Sequence, residues 1–251
     1  MKIFVFPTAL PEKISTPVAT RAQHKIGSES EPNWEFGVMK IYGFPISPFV
    51  RKVMVACAEK GLDAEIVLAN PAQPTDEFRK CSPYSKIPAF EDGDYRLADS
   101  TAIVTYLEAK HPEPALLPAD PRARGKAIWF EEVADTVLTP AAGPIIFNRF
   151  VGPKFLGLEG DEAAAVEGEK QLADKLCYME EVAPADGWLA GEFSIGDISI
   201  ACVIRTLAYP GWQLDAAKFP ALAAWYGRVT ERPGWKAAAE QENAIMSAAA
   251  G

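Results

Sequence analysis

The segment KIYGFPISPFVRKVMVAC, residues 40–57, decides the fold of this 251-residue chain. Its opening residues predict a short strand, and Ser47-Pro48 then supplies a helix N-cap followed by proline at the first helical position. The apolar residues beyond recur at helical spacing, and Gly61 stands where the helix should end. A second strand is predicted for 65–68, and the helical crossover makes the two strands parallel.

The residues that follow complete an α/β unit. A short helix is predicted from Thr75 to Ser82, and Asp92-Gly93 is a strong hairpin signal between two further strands. Asp99-Ser100 then caps a helix that must end by His111-Pro112. The order strand, helix, strand, helix, strand, strand, helix is typical of a thioredoxin-like domain.

Beyond residue 112 the pattern becomes helical. Asp120-Pro121 begins a long helix, which Pro140, Gly143 and Pro144 are expected to break. The remaining helices are predicted over 161–181, from Ser194, over 220–232, and as a short last helix that carries Trp235.

We therefore predict a division of the chain into two domains with a linker and an extension. Residues 39–112 form the α/β domain, the proline-rich residues 113–119 form the linker, and residues 120–251 form an all-helical domain. Residues 1–38 show neither a helical nor an alternating period. We expect them to be either a poorly ordered extension or the product of an over-long gene start.

Charge and rare residue types exclude several classes of function. The net charge of −9 argues against nucleic acid or an anionic membrane as the partner. The two histidines and four scattered cysteines lack metal-ligand spacing, so we expect no metal, and the cysteines are typical of reduced thiols in the cytoplasm. No apolar run approaches the roughly 18 residues of a membrane-spanning helix. The first residues also lack the apolar core of a signal peptide.

Three motifs carry a resemblance to a known family: Ser47-Pro48-Phe49-Val50-Arg51-Lys52-Val53, Ser85-Lys86-Ile87-Pro88-Ala89 and Asp99-Ser100. From Met39 onward the chain resembles the soluble glutathione transferases, with a serine-type, tau-like first motif. The resemblance implies the glutathione transferase fold, an α/β thioredoxin-like N-terminal domain followed by an all-α C-terminal domain. It also implies a cytoplasmic homodimer that conjugates its co-substrate glutathione to an electrophilic, apolar substrate in detoxification.

Ser47 is the predicted catalytic residue. As an N-cap it places a hydroxyl where the N–H groups and the positive end of the helix dipole favour an anion. A hydrogen bond from this hydroxyl would stabilise the thiolate of glutathione. The alternative is that Ser47 only caps the helix. Tyr42, on the first strand, is a weaker candidate for a tyrosine-type donor.

The resemblance also implies a glutathione site. In the family the proline at the position of Pro88 is cis, which exposes the backbone of Ile87 to the backbone of the tripeptide. Asp99 would pair with the γ-glutamyl ammonium, and the Ser100 hydroxyl and nearby N–H groups would bind its carboxylate. Lys86 would meet a carboxylate of glutathione. The predicted glutathione-binding residues are Phe49, Lys86, Ile87, Pro88, Asp99 and Ser100.

Some assignments stay open at this point. The loop over 70–74 has no lysine or arginine for the glycine carboxylate. Ser194 and Asp197 resemble a capping box that determines folding rather than catalysis. The candidates for an apolar acceptor pocket are Phe147, Phe150 and Trp212. The same fold would also suit a non-catalytic binding module, and the same site would suit a glutathione-dependent peroxidase or isomerase.

Overall fold

The structure, a computed structural model, describes residues 38–250, with side chains up to Ala248. The predicted extension over 1–38 lies outside the described residues except for Val38. The α/β part contains β1 (Met39–Gly43), α1 (Pro48–Glu59), β2 (Ala64–Leu68), α2 (Asp76–Cys81), β3 (Ala89–Asp92), β4 (Tyr95–Ala98) and α3 (Ser100–Lys110).

The four strands form one mixed sheet in the order β2-β1-β3-β4. The predicted parallel pairing of β1 with β2 is confirmed, and β3 runs antiparallel to both β1 and β4. Alternation along β1 sends Ile41 into the core formed with α1 and α3, while Tyr42 packs on the other face against Phe78 of α2.

Helix α1 begins and ends as its sequence predicts. Pro48 occupies its first turn after Ser47, and Gly61 adopts a φ of 66° just beyond its end. At its start the helix lies very close to β1, because a Cβ atom on Gly43 would be 2.5 Å from Cγ2 of Val50. The residues that present Ser47 are therefore closely packed.

The rest of the chain is helical, which confirms the predicted fold class. Residues 111–120 contain no helix or strand. The segments that follow are α4 (Pro121–Glu132), π1 (Val133–Leu138), α5 (Thr139–Ile146), π2 (Phe147–Val151), α6 (Gly152–Leu156), α7 (Glu162–Val182), α8 (Ile195–Leu207), α9 (Pro220–Thr230) and α10 (Pro233–Ala250). None of the described helices is both long and apolar enough to cross a membrane.

The predicted break at Pro140, Gly143 and Pro144 is wrong. The chain stays helical from α4 through α6, because the π-helical turns π1 and π2 flank α5 and the residues at each junction keep right-handed helical dihedrals. Side chains add bonds along this run: Thr139 Oγ1 donates to the carbonyl of Ala134 at 2.8 Å, and Asn148 Nδ2 donates to that of Pro144 at 2.8 Å. Widened π turns accommodate proline rings that a uniform α-helix would not.

The last helix is also longer than predicted. Pro233 begins α10, which runs for 18 residues. Its start lies against the end of α1, because a Cβ atom on Gly234 would come within 2.7 Å of Glu59. Along its length Glu242 is buried and forms an ion pair with Arg51 of α1. The alanine-rich composition of this segment favours a helix, and contacts with α1 add tertiary support.

Candidate functional site

A cleft of about 670 Å³ opens between α2, the loop before β3, β4 and the start of α3. All six of the residues predicted to bind glutathione line it: Phe49, Lys86, Ile87, Pro88, Asp99 and Ser100. The structure thus brings together three sequence motifs that lie far apart in the chain.

The turn before β3 forms one wall of the cleft. The peptide bond between Ile87 and Pro88 is cis, as the resemblance implied. Two hydrogen bonds hold Lys86, the residue before Ile87. Ser82 Oγ donates to the Lys86 carbonyl and accepts from the Lys86 amide, both at 2.8 Å. The carbonyl of Pro88 accepts from the Asp99 amide at 3.3 Å. The turn is therefore tied both to the end of α2 and to the start of α3.

Asp99 and Ser100 stand at the amino end of α3. Asp99 has a φ of 86°, a conformation that non-glycine residues rarely adopt and that tends to occur at functional sites. Its Oδ1 atom accepts from the amides of Thr101 at 3.0 Å and Ala102 at 3.1 Å, so it caps the helix. Ser100 is buried while still lining the cleft. The helix dipole adds an environment that favours a carboxylate here.

Ser47 lies at the amino end of α1, two residues before Phe49. Its side chain caps no helix N–H group, and the residue is half-buried. It is not among the residues that line the cleft described above, although Phe49 of the same helical turn is. Its amide donates to the Phe44 carbonyl at 3.0 Å. The first turn of α1 therefore presents its polar groups without a capping bond from this hydroxyl.

Other potential thiol or phenol donors are less suitable. Tyr42 is buried, and this burial raises the pKa of its hydroxyl. Burial also raises the pKa of the Cys57 and Cys202 thiols to about 12, and that of Cys81 is raised as well. These thiols stay protonated at neutral pH. These three cysteines therefore do not compete with a thiol brought in by a ligand, and the exposed Cys177 lies on α7, outside the cleft.

Sequence reasoning missed Asp135, which reaches the cleft from π1. Its Oδ2 accepts from Lys52 Nζ at 2.6 Å, and the same ammonium donates to Glu131 at 2.7 Å. Burial is the main reason that the pKa of Asp135 is raised to about 6. No local motif could have identified Asp135, because its place in the cleft depends on contacts with α1, more than 80 residues earlier.

The charged rim of the cleft was also missed in part. Lys80 of α2 and Arg96 of β4 line the cleft together with Lys86. Arg96 Nε also donates to Glu91 at 3.1 Å. These cations supply positive charge that the loop over 70–74 lacks. They lie on different elements and form no motif in the sequence, so only the fold shows that they share one cleft.

Of the acceptor-pocket candidates, Phe150 lies nearest to the turn that presents Ser47. Its ring centroid is 5.6 Å from that of Phe155 and 5.1 Å from that of Tyr209, and Phe155 contacts Phe44. Phe147 and Trp212 pack against the main core. Phe150 packs against that core as well, and of the three candidates it is the one that also packs against Phe44 and Ile46, just before Ser47.

The predicted capping box at α8 is present. Asp197 accepts from the Ser194 amide at 3.1 Å, and its other oxygen accepts from the Leu189 amide at 3.0 Å and Trp225 Nε1 at 2.9 Å. Both residues are fully buried. Neither residue lines the cleft, which fits the predicted folding role.

Comparisons with known proteins agree with this arrangement. The family description "Glutathione S-transferase, N-terminal domain" matches residues 41–115, and "Glutathione S-transferase, C-terminal domain" matches residues 136–233. The chain is 35% identical over 205 residues to glutathione S-transferase 3 of Zea mays, covering 79% of this chain and 91% of that protein.

Solved structures show the same similarity. The apo form of a glutathione S-transferase III superposes with a TM-score of 0.70 at 32% identity, covering 81% of this chain and 96% of that one. A glutathione S-transferase I bound with lactoylglutathione superposes with a TM-score of 0.73 at 28% identity, covering 81% and 99%.

Proposed function

The chain belongs to the glutathione S-transferase family, and from that premise we propose which of its residues carry out the transfer of glutathione to an electrophile. The observation that carries the proposal is the convergence of all six predicted glutathione-binding residues on one cleft. A second observation supports it, since the Ser47 hydroxyl makes no capping bond at the start of α1, two residues before Phe49 of the cleft.

Glutathione lies along the cleft in this proposal. The γ-glutamyl group lies at the start of α3, where Asp99 and Asp135 face its ammonium and Ser100 faces its carboxylate. The backbone of Ile87 pairs with the backbone of the tripeptide. Lys86, with Lys80 and Arg96 nearby, supplies charge for the glycine carboxylate. The solved relative that holds lactoylglutathione supports a ligand of this kind.

The reaction proceeds by direct attack of sulfur on carbon. The thiol of glutathione gives its proton to water, and the Ser47 hydroxyl donates a hydrogen bond to the resulting thiolate. The thiolate then forms a carbon–sulfur bond with the electrophile, which loses a leaving group such as halide or takes up a proton after addition. Ser47 stays unmodified throughout, so no histidine is needed to activate it.

The finer features of the protein also belong to this proposal. We retain the division into a domain over 39–112, a linker over 113–119 and a helical domain over 120–251. An open groove of about 870 Å³ between β4, α3 and π1, together with the highly exposed Tyr84, supports a homodimer. The free cysteines fit a reducing cytoplasm, where a serine-type transferase would serve detoxification.

The test measures two properties of the purified protein. Ultraviolet absorbance of the thiolate, measured against pH, gives the pKa of the glutathione thiol in the complex, and we expect this pKa to be lower than that of free glutathione. Conjugation of a generic aryl halide gives the turnover rate. Glutathione binding without turnover of any electrophile, hydroperoxide or isomerisation substrate would establish the alternative, a binding module. If only hydroperoxides or isomerisation substrates were turned over, the site would be assigned to a glutathione-dependent peroxidase or isomerase instead of a transferase.

A further inference from the structure

One buried hydroxyl of the helical part of the chain hydrogen-bonds to the turn that presents Ser47. Thr206 Oγ1 of α8 donates to the carbonyl of Ile46, at 3.1 Å. It shares its hydrogen with the carbonyl of Cys202 in its own helix, at 2.9 Å. Because Thr206 is 1% exposed, water does not compete for this bond.

The orientation of this hydroxyl is set by α1. Arg51 lies one turn after Ser47, and its Nη1 donates to Thr206 Oγ1 at 3.3 Å. Since Oγ1 accepts from the guanidinium, its hydrogen is directed toward the two carbonyls. Arg51 is itself held by Glu242 of α10, whose Oε2 accepts from its Nε at 2.8 Å.

The Ile46 carbonyl is part of the same planar peptide unit as the amide of Ser47. That unit is bonded at both ends, because its oxygen accepts from Thr206 and its N–H donates to the Phe44 carbonyl at 3.0 Å. The orientation of this plane fixes the position of the Ser47 Cα atom. Together with φ and χ1 of Ser47, this plane determines the direction in which the Ser47 hydroxyl points.

We propose that Thr206 is a positioning residue for catalysis, which aims the Ser47 hydroxyl at the glutathione sulfur by holding the Ile46–Ser47 peptide plane. This inference rests on the proposed role of Ser47. In this proposal Thr206 touches neither glutathione nor the electrophile. Loss of its hydroxyl therefore weakens stabilisation of the thiolate and leaves the glutathione cleft intact.

Three variants test the proposal. Thr206→Val keeps the branched shape and removes the hydroxyl, and Thr206→Ser restores the hydroxyl on a smaller side chain. Ser199→Ala is the matched control, because Ser199 lies on the same helix, is equally buried, and its hydroxyl has no hydrogen-bond partner among the described residues. The readouts are the pKa of bound glutathione thiol from thiolate absorbance, and kcat and KM against pH.

We expect Thr206→Val to raise the pKa of the bound thiol and to lower kcat at pH 6.5 by about tenfold, because a small misplacement of a donor is costly. The loss should shrink as pH rises, while KM for glutathione changes by less than about twofold, because the cleft is unchanged. Thr206→Ser should restore most of the activity, and Ser199→Ala should match the wild type. Should Thr206→Val not fold, Thr206→Cys offers a side chain of similar size with a weaker donor. Its kcat should lie between that of the wild type and the value expected for Thr206→Val.

A wild-type thiol pKa in Thr206→Val would overturn the proposal, and so would an equal shift in Ser199→Ala. The proposed function fails separately, if Ser47→Ala keeps full turnover. An inactive Ser47→Ala variant beside a fully active Thr206→Val variant would refute the positioning role alone.

Discussion

The amino ends of α1 and α8 begin with the same residue type and use it in opposite ways. Ser194 is buried in a capping box closed by Asp197, and the same carboxylate bonds to Leu189 and Trp225. Ser47 is followed by Pro48 and is half-buried, and its hydroxyl caps nothing.

The third residue also differs between the two helices. Asp197 occupies this position in α8 and supplies the acceptor that a capping box requires, whereas α1 has Val50 there. Val50 packs instead against the end of β1. In this protein the serine before α8 therefore acts in folding, with a carboxylate closing its cap, whereas the hydroxyl of the serine before α1 is left without a capping bond.

The largest expected effect is on the structural side of this comparison. Asp197→Ala removes the acceptor for three buried N–H groups, so we expect the free energy of unfolding to fall by about 3–5 kcal/mol. Chemical denaturation measures this loss. At a temperature where the variant stays folded, kcat per folded molecule should be unchanged, and Asp197→Asn offers a milder variant. A specific loss of kcat in folded protein would contradict the division of roles.

Ser47→Ala tests the catalytic side. Removal of a preorganised donor typically lowers kcat by about 10²–10³-fold. Because the hydroxyl caps no N–H group, the free energy of unfolding should change by less than about 0.5 kcal/mol, where loss of an ordinary serine cap costs about 1 kcal/mol. Steady-state kinetics and denaturation of the same samples separate the two roles. A less stable variant with full turnover would make Ser47 a helix cap.

A smaller effect is expected for Asp135, the partly buried carboxylate at the cleft, in comparison with Asp197 in the capping box. Asp135 at the cleft shares Lys52 with Glu131, and burial raises its pKa from 3.8 to about 6. The folded protein therefore binds this proton more tightly than the unfolded chain, and stability falls as pH rises between those two values. At pH 7.5 we expect Asp135→Asn to be more stable by about 1–2 kcal/mol.

The difference between wild type and Asp135→Asn should shrink as pH falls below 6, where the wild-type carboxyl takes up its proton. Thermal unfolding at pH 7.5 and pH 5 gives the comparison. A variant that is less stable at pH 7.5 would show that the ion pair with Lys52 outweighs the cost of burying the charge.

Much of the candidate site could be predicted because its signals are local. Ser47-Pro48, the turn at Pro88 and the cap at Asp99 each act within a few residues, and the family resemblance they carry predicted that Phe49, Pro88 and Asp99 share one cleft, as they do in the structure. The box at Ser194 was predictable for the same reason.

The remaining features depend on contacts across the molecule. Asp135 joins the cleft through Lys52, and the helix continues through Pro144 because flanking π turns widen it. Thr206 reaches Ile46 across 160 positions of sequence. Periodicity and capping rules do not report such pairs, so neither the long helical run nor the support of Ser47 could be read from the sequence.

The ion pair between Arg51 and Glu242 has a consequence for the order in which parts of the protein can fold. The two residues are 191 positions apart, so the ribosome delivers the helix that carries Ser47 long before its acidic partner. During elongation the guanidinium stays hydrated, because an unpaired charge is costly to bury. The buried ion pair between α1 and α10 can therefore form only once α10 has been synthesised, so the packing of α1 is completed late relative to its own synthesis.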